Sequence, residues 1–194
     1  VILQGDIHFF FKEFGPALSA YKKATVKAPN LADAQIKYAN ALLATKKSSK
    51  AYRILTAAKK RWPNNAKVLV ALGDAQYQLK RYKESIQTLT ELLAVKPRSL
   101  RARLLRGNAY LKAKQLGKAV VDFRQARKLR PGSGKAKRGL IKALNITAFH
   151  KLKANKQGEA EAILLEAFRL DPKRIFTNIN LGIAYLRANK HNLA

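Results

Sequence analysis

The chain has 194 residues, with forty Lys and Arg against eleven Asp and Glu, a formal net charge of +29. It holds no Cys, which excludes disulfides, thiolate chemistry and Cys-ligated zinc. No apolar run approaches the ~18 residues of a membrane-spanning helix. Hydrophobic residues make up 47% of the chain. They are mostly Ala and Leu, good helix formers, with Gly and Pro few, so the composition reads as helical with a real core.

In chain order, Pro29, Pro63, Pro97 and Pro131 recur at intervals of 34 residues. Ahead of each lies a helical segment with a small or apolar stripe: Ala17/Tyr21/Ala24, Ala51/Leu55/Ala58, Ser85/Leu89/Leu92 and Ala119/Phe123/Ala126. Intervals of four and three put each set on one helical face. Each Pro closes its helix, and another helix begins shortly after it. The first helix of each pair carries a small residue, at Gly5, Ala39, Gly73 and Gly107, again 34 apart, which lets two helices approach closely.

A fifth unit ends at Pro172, with Ala160, Leu164 and Ala167 on its second helix, 41 residues after Pro131. The seven extra residues amount to about two helical turns. Either a longer first helix or a longer loop around Lys151–Gly158 absorbs them. A sixth unit begins NLGIAYLRANKHNLA, with Gly182 and Tyr185 in register, and stops at Ala194. The units span approximately 1–31, 32–65, 66–99, 100–133, 134–174 (elongated) and 175–194 (partial), a single array over 1–194. With Val1 first and Met absent, the chain reads as an internal piece of a longer protein.

The stretch GNAYLKAKQLGKAVVDFRQARKLRPGS, within Leu100–Ser133, resembles the tetratricopeptide repeat, with Gly107, Tyr110, Ala119, Phe123, Ala126 and Pro131 at motif positions. The stretch LGDAQYQLKRYKESIQTLTELLAVKP, from Leu72 to Pro97, is nearly as good a match. The resemblance runs the length of the chain. It implies an all-α, right-handed superhelical solenoid of antiparallel helix hairpins, acting as a non-catalytic interaction scaffold. Arg103 and Arg106 depart from the motif by standing where it places bulky apolar residues. Their stems are expected to cover apolar surface while the heads reach water. His8 takes a position usually given to an aromatic.

No catalytic constellation emerges, and no metal or cofactor is expected. His8, His150 and His191 lie far apart in a linear array. Glu159, Glu161 and Glu166 read as a solvated face near a helix start. Gly132-Ser133-Gly134-Lys135 lacks the upstream Gly of a phosphate loop, since Leu129 stands there. Ala136 follows its Lys, and a helix precedes it rather than a strand. It is an inter-repeat turn, whose free N–H groups could receive an anion. Asn145-Ile146-Thr147 matches a glycosylation sequon inside a helix and reads as accidental.

In the family, the first helices of successive hairpins line a concave groove. The resemblance therefore implies groove stripes at Asp33/Ile36/Asn40/Leu43, Lys67/Val70/Asp74/Tyr77 and Arg101/Leu104/Asn108/Leu111 with Lys112. Two more follow at Lys135/Arg138/Lys142/Asn145 and at Phe176/Ile179/Ile183/Leu186 with Arg187. Asn40 and Asn108 match the Asn of members that grip acidic C-terminal peptides, whereas Ile36 and Leu104 replace the Lys one turn earlier. Between Leu92 and Gly158, nineteen Lys and Arg stand against one acid, Asp122. Such a charge costs self-repulsion unless a partner offsets it.

The expected partner is an acidic protein segment or subunit, held by Asn40, Lys67, Tyr77, Arg101, Asn108, Lys112, Lys135, Arg138, Lys142 and Arg187. Three alternatives stay open: nucleic acid, with few exposed aromatics to stack bases; an acidic exopolysaccharide in a bacterial export machinery; and an anionic membrane facing Arg124, Arg127, Lys128 and Arg130. Compartment, cytoplasmic or bacterial periplasmic, and oligomeric state are likewise open.

Overall fold

The computed structural model describes residues 1–188. Those residues form eleven helices: α1 (Ile2–Phe10), α2 (Phe14–Lys27), α3 (Ala32–Ala44), α4 (Ser48–Arg61), α5 (Ala66–Gln78), α6 (Tyr82–Val95), α7 (Leu100–Lys112), α8 (Leu116–Leu129), α9 (Gly134–Lys153), α10 (Gln157–Leu170) and α11 (Ile175–Arg187). Each odd-numbered helix up to α9 pairs with the next as a hairpin, and α11 stands as a further first helix. His191 and the end of the sixth unit lie outside the described residues. The chain forms two compact units, Val1–Leu105 and Arg106 onward, with the boundary inside α7.

Helix starts and stops follow from local chemistry. Asn65 Oδ1 accepts from the backbone N–H groups of Lys67 and Val68, Ser99 Oγ from that of Ala102 and Ser133 Oγ from that of Ala136, so three first helices have side-chain N-caps. The turn at Gly132–Lys135 is thus an inter-repeat connection with a capping serine. Pro29, Pro63, Pro97, Pro131 and Pro172 each follow a second helix by two residues, where a residue without an N–H ends a helix cheaply.

Within each hairpin the helices approach closely because one side of the contact is small. A Cβ added at Gly5 would stand 2.6 Å from Tyr21 Cε1, at Gly73 2.7 Å from Leu89 Cγ, and at Gly107 2.9 Å from Phe123 Cζ. Ala39 shares a core cluster with Leu55, and Ala148 with Leu164. In every case the large residue follows the small one by sixteen positions.

The seven extra residues of the fifth unit lengthen α9, which has 20 residues where α3, α5 and α7 have 13. The turn after it keeps three residues, like the others. Because seven residues nearly complete two turns, both halves of α9 present the same face. Its first half sets Gly139 on Phe123, so that ring lies between Gly107 and Gly139. Its second half packs Ala148 and Leu152 with Ala160, Leu164, Leu181 and Ala184.

The turn inside each hairpin is a Schellman-type C-cap. In the second hairpin the Lys47 N–H donates to Leu42 O at 2.8 Å and the Lys46 N–H to Leu43 O at 3.1 Å. The same pair of bonds closes α1, α5, α7 and α9. The residue in the left-handed conformation is Lys12, Lys46, Lys80, Lys114 or Asn155, with φ between 55° and 61°. Glycine would hold that conformation without the Cβ strain that lysine bears. Lys46→Gly should therefore stabilise the fold by up to about 1 kcal/mol, whereas Lys50→Gly, inside α4, should cost about 1 kcal/mol. Chemical denaturation of the two variants measures both.

Candidate partner-binding surface

In the first unit, Asn40 of α3, Lys67 of α5 and Arg101 of α7 line one recess of about 430 Å³, together with Asp33, Ile36, Lys37 and Val70. The sequence reading thus brought together three of its proposed contacts. Their charges are already answered. Lys67 Nζ lies 3.3 Å from Asp33 Oδ1, and Arg101 Nη2 lies 3.5 Å from Asp74 Oδ2. Lys37 Nζ donates to both oxygens of Asp6 at 2.7 and 2.6 Å, and Tyr21 donates its hydroxyl to Asp6 at 2.7 Å. Each of these first-helix cations meets a carboxylate on the first helix before it, whereas Lys96, just past the end of α6, also lines the recess, is exposed and holds no ion pair among the described residues.

The titrations follow this geometry. Burial raises the Asp6 carboxyl, but the bonds from Lys37 and Tyr21 outweigh it and leave the pKa below the ordinary carboxylate value. Burial and the Asp6 contact push the Tyr21 phenol up. Tyr77, also a proposed contact, is half-buried with its ring 5.6 Å from Tyr82. Burial first, then Tyr82 and Asp74, raises its phenol.

The second unit differs. Asn108 and Lys112 on α7, and Lys135, Arg138 and Lys142 on α9, are all exposed. Among the described residues none of these five side chains holds an ion pair or hydrogen bond. The Arg138 guanidinium runs back along its own helix toward Gly134, the direction helical side chains favour.

Two expected groove positions are committed elsewhere. Asn145 is buried: its Nδ2 donates to Ile141 O at 3.0 Å and to Thr177 Oγ1 at 2.9 Å, and its Oδ1 accepts from Asn180 Nδ2 at 3.2 Å. It occupies the place where one first helix packs on the next. In the first unit an apolar pair, Ile36 and Val68, fills that place. A polar pair there must be hydrogen-bonded to be tolerated, and the burial also removes Asn145 as a glycosylation acceptor. Arg187 Nη1 donates to Leu152 O at 3.1 Å, placing a cation at the C-terminus of α9, where the helix dipole favours it. Phe176 and Ile179 remain exposed on α11.

Arg106 corrects another expectation. Its head is bound to a buried carboxylate and is only partly exposed. Arg106 Nε donates to Asp122 Oδ2 at 2.7 Å and Nη2 to Oδ1 at 2.8 Å, with Asp122 only 1% exposed. The hydrogen bond to Asp122 raises the Arg106 pKa further. The signal was in the sequence: the lone acid of a basic stretch lies sixteen residues after Arg106, the spacing of the small-on-large contacts. On α8, Arg124 makes a two-bond pair with Glu166 of α10, with Nε 3.0 Å from Oε1. His8 Nδ1 lies 2.5 Å from Glu13 Oε2, and Glu159 is held by Lys151 and Lys156. No group of three His, Asp or Glu side chains among the described residues could hold a metal ion. No helix among them is long and apolar enough to cross a membrane.

A tetratricopeptide repeat model matches residues 39–94 and 70–134. With five hairpins sharing one contact and one turn geometry, the chain belongs to the tetratricopeptide repeat family, and its architecture is the all-α hairpin solenoid of that family. Solved structures agree on the fold. A thermophilic tetratricopeptide protein from Thermus thermophilus is 19% identical over 95% of this chain and 97% of its own, with a TM-score of 0.67. MamA from Desulfovibrio magneticus is 20% identical over 88% and 93%, with a TM-score of 0.69. YrrB, described as having an unusual peptide-binding site, is 18% identical over 97% and 90%, with a TM-score of 0.68. No curated protein matches the chain in sequence.

Asp122→Asn should cost roughly 2–3 kcal/mol, because it leaves the Arg106 guanidinium half-buried without its counter-charge. The double variant Arg106→Leu/Asp122→Leu should recover most of that loss, and a thermodynamic double-mutant cycle reads the difference.

Proposed function

We propose that the protein is a non-catalytic interaction scaffold that holds an acidic protein segment or subunit of a larger assembly. The contacts that carry it are Asn108 and Lys112 on α7 and Lys135, Arg138 and Lys142 on α9. One observation supports this placement above all: the first-helix cations of the first unit's recess, Lys37, Lys67 and Arg101, each face a carboxylate, while those five side chains face none. An unanswered cationic surface gains most from an acidic partner, both in encounter rate and in specificity. Asn40, Lys67, Tyr77 and Arg101 act within their own unit, where the first-helix cations are already paired and an incoming segment gains less from net charge. Arg187 contributes by fixing the end of α9. YrrB's peptide-binding site makes a peptide ligand a natural expectation for this fold.

A second reading, an anionic polymer such as nucleic acid or an acidic exopolysaccharide, draws on one observation. Exposed cations of the second unit extend to Lys128 and Arg130 at the end of α8, beyond the first-helix face, and a polymer can follow such a surface.

A fluorescent acidic peptide titrated at low and high salt tests the proposal. Arg138→Glu/Lys142→Glu should weaken binding at low salt by on the order of tenfold or more, and Lys67→Glu/Arg101→Glu should weaken it far less. Equal losses from the two pairs, or binding insensitive to salt, would remove the assignment. A charge-matched polyanion that outcompetes the peptide would favour the polymer reading.

A further inference from the structure

The three hairpin turns of the first unit, 11–13, 45–47 and 79–81, share one edge. Ser48 Oγ, just past the second turn, donates to Gln78 Oε1, just before the third, at 2.6 Å. The Arg81 guanidinium lies 4.4 Å over the Tyr52 ring. Phe9 and Leu18, flanking the first turn, pack in one core cluster with Leu42 and Leu43, which flank the second.

Lys12, Lys46 and Lys80 occupy the same left-handed position of these turns, with φ of 60°, 59° and 61°, where glycine would be unstrained. All three are exposed, as are Lys47 and Lys83 beside them. The nearby acids are engaged, Glu13 by His8 and Glu84 by Arg81. At the first turn stand Phe10 and Phe11, 79% and 66% exposed, their rings edge-to-face at 5.3 Å. Phe10 occupies the position of Ala44 and Gln78, which is exposed in all three hairpins, so its bareness belongs to the position; that of Phe11 does not, since its equivalents Thr45 and Leu79 are half-buried.

We propose that this edge docks on a bilayer containing anionic lipid, with Phe10 and Phe11 at the headgroup–acyl boundary and Lys12, Lys46 and Lys80 among the headgroups. The site is distinct from the acidic-segment surface of the second unit. Turn tips offer no cleft for an extended chain, and bare phenylalanines gain little from a soluble polyanion. Aromatic rings combined with lysines whose long stems let the ammonium reach phosphate are the chemistry of the membrane interface. On α8, by contrast, Glu166 already answers Arg124.

Flotation with phosphatidylcholine vesicles, with and without phosphatidylserine, tests the proposal. Each lysine near an anionic surface contributes about fivefold to partitioning. Lys12→Gly/Lys46→Gly/Lys80→Gly should therefore lose on the order of a hundredfold on the phosphatidylserine vesicles. This variant relieves backbone strain, so its unfolding temperature should not fall and misfolding cannot explain the loss. Lys22→Gln/Lys23→Gln/Lys27→Gln on α2, of equal net charge, should lose far less. Phe10→Ser/Phe11→Ser should weaken vesicle binding while leaving heparin binding unchanged. Equal losses from the two lysine triples, or vesicle binding indifferent to the phenylalanine change, would overturn the proposal and leave only general polyanion attraction.

Discussion

A small residue lying on a large side chain sixteen positions later is the contact on which the rest of this structure depends. Gly5 on Tyr21, Gly73 on Leu89 and Gly107 on Phe123 leave no room for a Cβ. Glycine inside a helix sacrifices roughly 1 kcal/mol of intrinsic stability relative to alanine. The close approach it permits offsets that loss through packing of the large partner, which is buried in each case. Once this contact fixes each hairpin, the 34-residue period places equivalent positions on neighbouring first helices.

The electrostatics inherit that register. Asp33 and Lys67 are 34 residues apart and meet across α3 and α5. Arg106 and Asp122 are sixteen apart and meet beside the Gly107–Phe123 contact. The scarce carboxylates are thus largely committed to cations of this chain, between first helices (Asp33–Lys67), between second helices (Glu91–Lys59 and Glu166–Arg124) and inside a hairpin (Asp122–Arg106). Lys112, Lys135, Arg138 and Lys142, on α7 and α9, are among the second unit's exposed cations that no carboxylate answers. A functional reading follows from this pattern of pairing more than from the total charge.

Much of this was legible in the residues. The proline spacing, the small-residue positions and the helical stripes located the hairpins, and Pro172 announced the elongated unit. The sequence left open how the seven residues were absorbed, because a helix and a loop of that length are both compatible with Lys151–Gly158. The α9 helix takes them up because Ala, Leu and Lys carry it through, and two whole turns preserve its buried face. Asn145 was misread because its place on the stripe is shared by Ile36, and only packing against Thr177 and Asn180 makes it an interior group. Arg106 was misread because a side chain that can reach water can also find a buried carboxylate. The left-handed lysines carry no sequence signal at all, since lysine is not a turn former and the Schellman geometry is dictated by the helices on either side.

The account places acidic-partner recognition on the second unit's unanswered cations. Chemical-shift mapping of the whole chain during titration with an acidic peptide tests that most directly, because it reads every position at once. The largest perturbations should fall on Asn108, Lys112, Lys135, Arg138 and Lys142, with Lys67 and Arg101 little changed. Perturbations centred on the Asp33–Lys67–Arg101 recess, or spread evenly over all exposed lysines, would contradict it.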